Sequence, residues 1–223
     1  MRTFYTQIRA DVEAIARRCD RDPASITLVT VTKTHPLEDI LPVYDAGCRD
    51  FGESRLQEAL EKIPQAPQDI RWHFIGTLQS NKVRKAISRF ALIHSVDSVE
   101  LAAKISQISV EMGMTTPILL QANTSGEASK HGLPPDQWKQ AFESLLALPG
   151  IDIQGLMVMA PLTEDESVIR RCFSELRYLR DELASYPGIS SSFRHLSMGM
   201  SYDYPIAIEE GATLLRIGSA IFE

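Results

Sequence analysis

Residues 26–36 read ITLVTVTKTHP. Ile26 to Thr32 are apolar or β-branched and carry no charge, and the run breaks at Lys33, which suits a short strand buried on both faces. A helical pattern follows Pro36: Leu37, Ile40, Leu41 and Tyr44 share a face, and Gly47 marks the stop. This strand-then-helix unit recurs. Further strands are expected at CRDFG (48–52), WHFIG (72–76), ALIHSV (91–96), PILLQAN (117–123), IQGLMVM (153–159), RHLS (194–197) and TLLRIG (213–218). Helices are expected at 55–63, 79–90, 98–111, 135–147 and about 205–210. Another starts at a capping box, Thr163 with Glu166, and carries Val168, Ile169, Cys172, Phe173, Leu176, Leu179 and Leu183 on one face. Residues 3–18, with Phe4, Ile8, Val12 and Ile15 at helical spacing, add an amphipathic helix in front.

Eight strands, each but the last followed by a helix, imply parallel pairing with right-handed crossovers. In a chain of 223 residues they suggest a closed (β/α)8 TIM barrel forming one domain over residues 1–223. The rival is a doubly wound open sheet, which binds dinucleotides at a glycine-rich turn after the first strand. Here that turn is Lys33-Thr34-His35-Pro36, without glycine.

Composition narrows the function. Hydrophobic residues at 44% and charged residues at 23% match a globular average and exclude disorder and fibre. The net charge of −6 argues against binding nucleic acid or anionic membrane through bulk charge. No apolar run approaches the roughly 18 residues of a membrane span. The charged N-terminus lacks the apolar region of a signal peptide. Cys19, Cys48 and Cys172 are odd in number and widely spaced, against a disulfide framework or zinc site. A cytoplasmic setting is expected.

A barrel of this kind places its site at the C-terminal ends of the strands. Strand one delivers Lys33 there. A lysine at an apolar rim loses hydration, and its neutral amine attacks carbonyls to form a Schiff base. The bland alternative is a lysine whose stem packs while its ammonium reaches solvent. The loops after strands seven and eight, SMGMS and RIGSA, occupy the usual phosphate position. Short side chains and backbone N–H groups at Ser197, Gly199, Ser201, Gly218 and Ser219 suit that role, although Gly199 and Gly218 could serve turns alone. No metal is called for. An amine opposite a phosphate cradle suits pyridoxal 5′-phosphate (PLP), and equally a Schiff-base aldolase acting on a phosphosugar. Arg216 shares the barrel face of Gly218. A guanidinium donates a hydrogen bond to a pyridine nitrogen without surrendering a proton, so the ring would be held yet remain a poor electron sink.

Other residues read more simply. His35 and His73 could be acid–base groups, but structural hydrogen bonding is the ordinary role. Glu53 could be a base or a helix-start residue. Met157 and Met159 could line a ring pocket or fill core. Lys82, Arg84, Lys85 and Arg89 form a basic stretch, read as a solvated face. Lys130 lies in a loop near the expected pocket mouth.

Seven motifs in order resemble the pyridoxal phosphate homeostasis proteins, a free-standing version of the alanine racemase N-terminal barrel domain. They are VTKTHP (31–36), FGESRLQE (51–58), WHFIGTLQSNK (72–82), QANTSGEASKHG (121–132), GLMVMAP (155–161), HLSMGMSYDY (195–204) and LLRIGSAIF (214–222). The resemblance implies PLP on Lys33 as a Schiff base, and phosphate contacts from Ser197, Gly199, Ser201, Gly218 and Ser219. It also implies Arg216 at the pyridine nitrogen. The family's Gly-Glu-Asn has Ser54 in third place here, and Glu223 replaces a terminal glycine.

The expected function is a PLP-binding homeostasis protein, linked to vitamin B6 supply. It buffers or delivers PLP without established turnover or catalytic residues, with apo PLP-dependent enzymes as recipients and a monomeric state. A PLP-dependent amino-acid racemase is the alternative. Related racemases add a tyrosine from a second β domain, and this chain, ending at Glu223, is expected to lack one. Tyr202 and Tyr204, near the phosphate loop, could substitute, but nothing in the sequence positions them as a base.

Overall fold

A computed structural model of the chain describes residues 4–124 and 131–223. The strands are β1 (Thr27–Val31), β2 (Asp50–Glu53), β3 (Arg71–Phe74), β4 (Leu92–Val96), β5 (Thr116–Gln121), β6 (Ile151–Met157), β7 (His195–Ser197) and β8 (Leu214–Ile217). The helices are α1 (Phe4–Arg18), α2 (Leu37–Asp45), α3 (Leu56–Lys62), α4 (Val83–Ala86), α5 (Val99–Glu111), α6 (Pro135–Leu146), α7 (Glu166–Leu183), α8 (Tyr204–Glu209) and α9 (Ser219–Phe222). All neighbouring strands are parallel, and β1 pairs with both β2 and β8, so the sheet closes. The (β/α)8 barrel expected from the alternation is the observed fold. No described helix is long and apolar enough to cross a membrane.

The main core lies between strands and helices, where Trp138, Phe142, Phe51, Phe74 and Phe173 are fully covered. A second, smaller apolar layer inside the barrel comprises Val29, Leu92, Leu119, Met157 and Leu214. Above and below it the lumen holds polar residues. The N-terminal helix is anchored by Tyr204, whose hydroxyl donates to Asp11 at 2.5 Å. Just past it, Arg21 donates to the carbonyls of Ile208 and Ala212 at 2.6 Å each.

Four local expectations are corrected. The face that α1 buries is Tyr5, Val12, Ile15 and Ala16, while Phe4 is exposed. The expected helix over 79–90 is only a 3-10 turn at Ser80–Lys82 and the single turn α4. Helix α7 is capped by Asp165, whose side chain accepts from the Ser167 N–H, and Thr163 instead accepts from Asp165 N–H outside the helix. The last strand does carry a helix, α9, which begins at Ser219 immediately beyond Gly218.

Strand β6 carries a bulge. Ile118 pairs with Ile153 but Leu119 pairs with Gly155, so Gln154 is the extra residue. Gly155 has φ +148°, and a Cβ there would lie 2.0 Å from the His195 carbonyl oxygen. Gly113 is also left-handed, at φ +65°, but has open space around it. Urea unfolding should therefore separate them. Gly113→Ala is expected to cost about 1 kcal/mol through backbone strain alone, and Gly155→Ala about 3 kcal/mol or more because backbone must move. Equal losses at the two positions would refute the bulge account.

Candidate functional site

A cavity of about 560 Å³ opens at the C-terminal ends of the strands, within the roughly 300–1,000 Å³ range of small-molecule sites. Lys33, Ser54, Met159, Ser201, Tyr202, Arg216, Gly218, Ser219 and Glu223 are among its walls. Lys33 is exposed on the rim, two residues beyond β1. The next residue, Thr34, has φ +68°, an outlier for a β-branched side chain. The turn is fastened by the His35 N–H donating to the Thr32 carbonyl at 3.1 Å. Strain of this kind persists only where the surroundings hold it, and it gathers at functional positions.

Ser201, Gly218 and Ser219 share that cavity with Lys33. The Ser201 hydroxyl accepts from the Ala220 N–H at 3.3 Å, which joins the β7 and β8 loops. A Cβ on Gly218 would press on the Val31 carbonyl at 3.2 Å, so the backbone there passes close to β1. Ser197 and Gly199 are not among the lining residues. Gly199, at φ +91°, meets α8: a Cβ would approach the Ala207 Cβ to 2.6 Å. The Met200 N–H is taken by the Asp203 carboxylate at 2.5 Å.

Ser197 belongs to the lumen. Its hydroxyl oxygen accepts from Arg216 Nη1 at 2.6 Å and lies 2.8 Å from His94 Nδ1. His94 Nε2 is 2.9 Å from His73 Nδ1, and His73 Nε2 is 3.1 Å from Asp50 Oδ1. Arg216 Nη2 donates to the Val158 carbonyl at 2.8 Å. Strands β4 and β7 are not neighbours, so the His94–Ser197 bond crosses the barrel interior. Burial lowers the Arg216 pKa to about 10, against the opposing pull of Asp203. Burial first, then His73, Arg216 and His195, holds His94 well below the ordinary histidine range.

Glu53 is fully buried. Its Oε1 accepts from Lys62 Nζ at 2.5 Å and Thr32 Oγ1 at 2.6 Å, while Oε2 has no partner among the described residues. It is neither a helix-start residue nor a wall of the cavity. His35 stacks on Phe222, with ring centroids 4.1 Å apart, and contacts Asp39. Met159 lines the cavity, whereas Met157 is core. Lys82, Arg84, Lys85 and Arg89 are exposed. Tyr204 is tied to Asp11, and Tyr202 is 85% exposed at the mouth. Lys130 lies outside the described residues. Residue-by-residue reading missed Asp50, His94 and Lys62; the available signal was that His73 and His94 sit on adjacent strands.

Comparisons with known proteins agree with this architecture. Residues 5–223 match the family model described as alanine racemase, N-terminal domain. A relative from Aquifex aeolicus (strain VF5), named pyridoxal phosphate homeostasis protein, is 39% identical over 212 residues, covering 95% of this chain and 92% of its own. PipY of Synechococcus elongatus PCC7942, solved with PLP bound, is 38% identical with TM-score 0.82, covering 95% of this chain and 99% of that one. An alanine racemase of Clostridium difficile 630 shares the fold at 15% identity, with TM-score 0.74 over 96% of this chain and 55% of that one.

The lumen predicts a pH dependence. Burial, with Arg194 and His73, lowers His195 from 6.5 to about 4. A histidine kept neutral in the fold binds its proton more readily in the unfolded chain. Stability is therefore full above about pH 6.5 and falls as pH drops towards 4. Urea titrations across that interval should show the decline, and His195→Gln should make it shallower. An unchanged slope in the variant would disprove the assignment.

Proposed function

The chain belongs to the pyridoxal phosphate homeostasis protein family, and from that premise we propose that it binds PLP and buffers or delivers it rather than turning over a substrate. One observation carries this reading. Lys33, Arg216 and the Gly218–Ser219 bend wall a single cavity, the arrangement that an aldehyde, a pyridine ring and a phosphate require. The PLP-bound state of PipY, at 38% identity, supports it. When bound, PLP supplies an aldehyde for reversible covalent capture by an amine, and a ring that absorbs visible light once so held.

The chain's own residues divide the work. Lys33 presents its amine at the rim, within a strained turn that aims the backbone. Ser201 and Ser219, with the Gly218 backbone, offer short donors to a phosphate. Arg216 offers N–H bonds to the pyridine nitrogen. Ser197 and Gly199 act from behind the wall, one by holding Arg216 and the other by letting the β7 loop settle on α8. Ser54, at the position of the family's asparagine, lines the cavity with a shorter side chain.

Donor-only Arg216 argues against turnover. So does the tyrosine geometry: Tyr204 is engaged by Asp11 and Tyr202 faces solvent. The proposal is therefore of a non-enzyme, one cofactor-binding domain over residues 1–223, cytoplasmic and monomeric. Its partners are apo PLP-dependent enzymes, with neither nucleic acid nor membrane among them.

Protein titrated with PLP should develop a visible band that borohydride bleaches, with the label on the Lys33 peptide. Lys33→Ala should abolish the band while moving the Tm by no more than about 2 °C, since a rim lysine contributes little packing. A label on another lysine, or a Tm loss of core-truncation size, would overturn the assignment. Incubation of the loaded protein with a panel of amino acids should yield no rapid racemisation or decarboxylation. Rapid turnover would establish the racemase reading instead.

A further inference from the structure

With one hydrogen on each imidazole, the lumen chain has a single consistent direction. Asp50 at one end only accepts hydrogen bonds, and Arg216 at the other only donates. With Asp50 accepting from His73 Nε2–H and a single hydrogen on that ring, His73 Nδ1 is an acceptor, filled by His94 Nε2–H at 2.9 Å. His94 Nδ1 is then an acceptor for the Ser197 O–H at 2.8 Å, and Ser197 Oγ accepts from Arg216 Nη1 at 2.6 Å. Each hydrogen points away from the cavity. The two charged ends thus dictate both imidazole tautomers, and the hydroxyl rotor has one place to go.

We propose that His94 is a positioning residue: the Asp50–His73–His94–Ser197 chain holds the Arg216 guanidinium in one orientation and so fixes the donor that meets the ring of bound PLP. This rests on the PLP reading given above. Arg216 spends two N–H bonds on Ser197 and Val158, which pins the guanidinium plane from behind. Its remaining N–H bonds are on a group that also walls the cavity. Replacing His94 by an apolar side chain leaves Ser197 without its acceptor, and the hydroxyl is then free to swing and release Nη1.

Two measurements test this. Two-bond 15N–1H spectra of the cofactor-free protein should show His94 neutral, with hydrogen on Nε2. Hydrogen on Nδ1 would overturn the relay. Separately, PLP titrations should give His94→Leu an affinity about tenfold weaker, the scale of one charge-assisted hydrogen bond, with a displaced visible band. His94→Gln carries an acceptor and a donor in the same order and should recover most of the affinity. In an Arg216→Gln background His94→Leu should add nothing, because its effect passes through Arg216. If His94→Leu fails to fold, Ser197→Ala carries the same cycle. Additive losses, or a lower Tm with unchanged affinity, would sink the proposal. Wild-type protein that takes up no PLP would defeat the PLP reading and this role together. Wild-type binding with unaffected variants would defeat the role alone.

Discussion

A guanidinium inside a closed barrel is the constraint around which this molecule is arranged. Arg216 is 4% exposed, and charge moved into such a place costs several kcal/mol unless hydrogen bonds replace water. The replacement comes from the adjoining wall of the barrel: Ser197 on the neighbouring strand and the carbonyl of Val158 beyond β6. Ser197 in turn needs His94, His94 needs His73, and His73 needs Asp50. One buried cation therefore recruits residues from four other strands and sets the orientation of each. The apolar layer of Val29, Leu92, Leu119, Met157 and Leu214 packs inside the same barrel.

Much of the fold could be read from the chain because a parallel barrel strand has a local signature. It is short, apolar on both faces and bounded by a helix start, and ITLVTVT, ALIHSV and PILLQ each announce themselves so. What failed was of two kinds. The 79–90 segment has helical spacing, but only Val83–Ala86 is α-helical, after an extended Gln79 and a 3-10 turn. On α1 the expected face holds at Val12 and Ile15, but its first aromatic is Tyr5 and not Phe4, since both are aromatic and only packing separates them.

The site divides along the same line. Lys33, Ser201, Arg216, Gly218 and Ser219 meet because strand ends converge, and strand ends can be counted in sequence. Ser197 lies at the end of β7, where its side chain enters the lumen instead of the cavity. Only its partners, His94 across the lumen and Arg216 on the adjacent strand, decide that. Gly199 meets Ala207 for a similarly non-local reason. Asp50 and His94 are unremarkable in their own strands, and their roles exist only once the barrel closes.

The direction of the relay bears on why such a site would hold a cofactor without turning over substrate. To pass a proton outward, the chain would have to reverse every link: His73 Nδ1–H toward His94, His94 Nδ1–H toward Ser197, and Ser197 O–H toward an arginine that accepts nothing. The last step has no acceptor, so the lumen cannot deliver a proton to the cavity by this path. On the proposed reading, a pyridine ring set against Arg216 would keep its nitrogen unprotonated and would draw electrons only weakly from a bound amine. The cavity is also locally cationic through Lys33 and Arg216, although the chain carries −6 overall. On that reading a phosphate would be attracted while the ring is left electronically idle, and affinity without activation is what a reservoir for a reactive aldehyde requires.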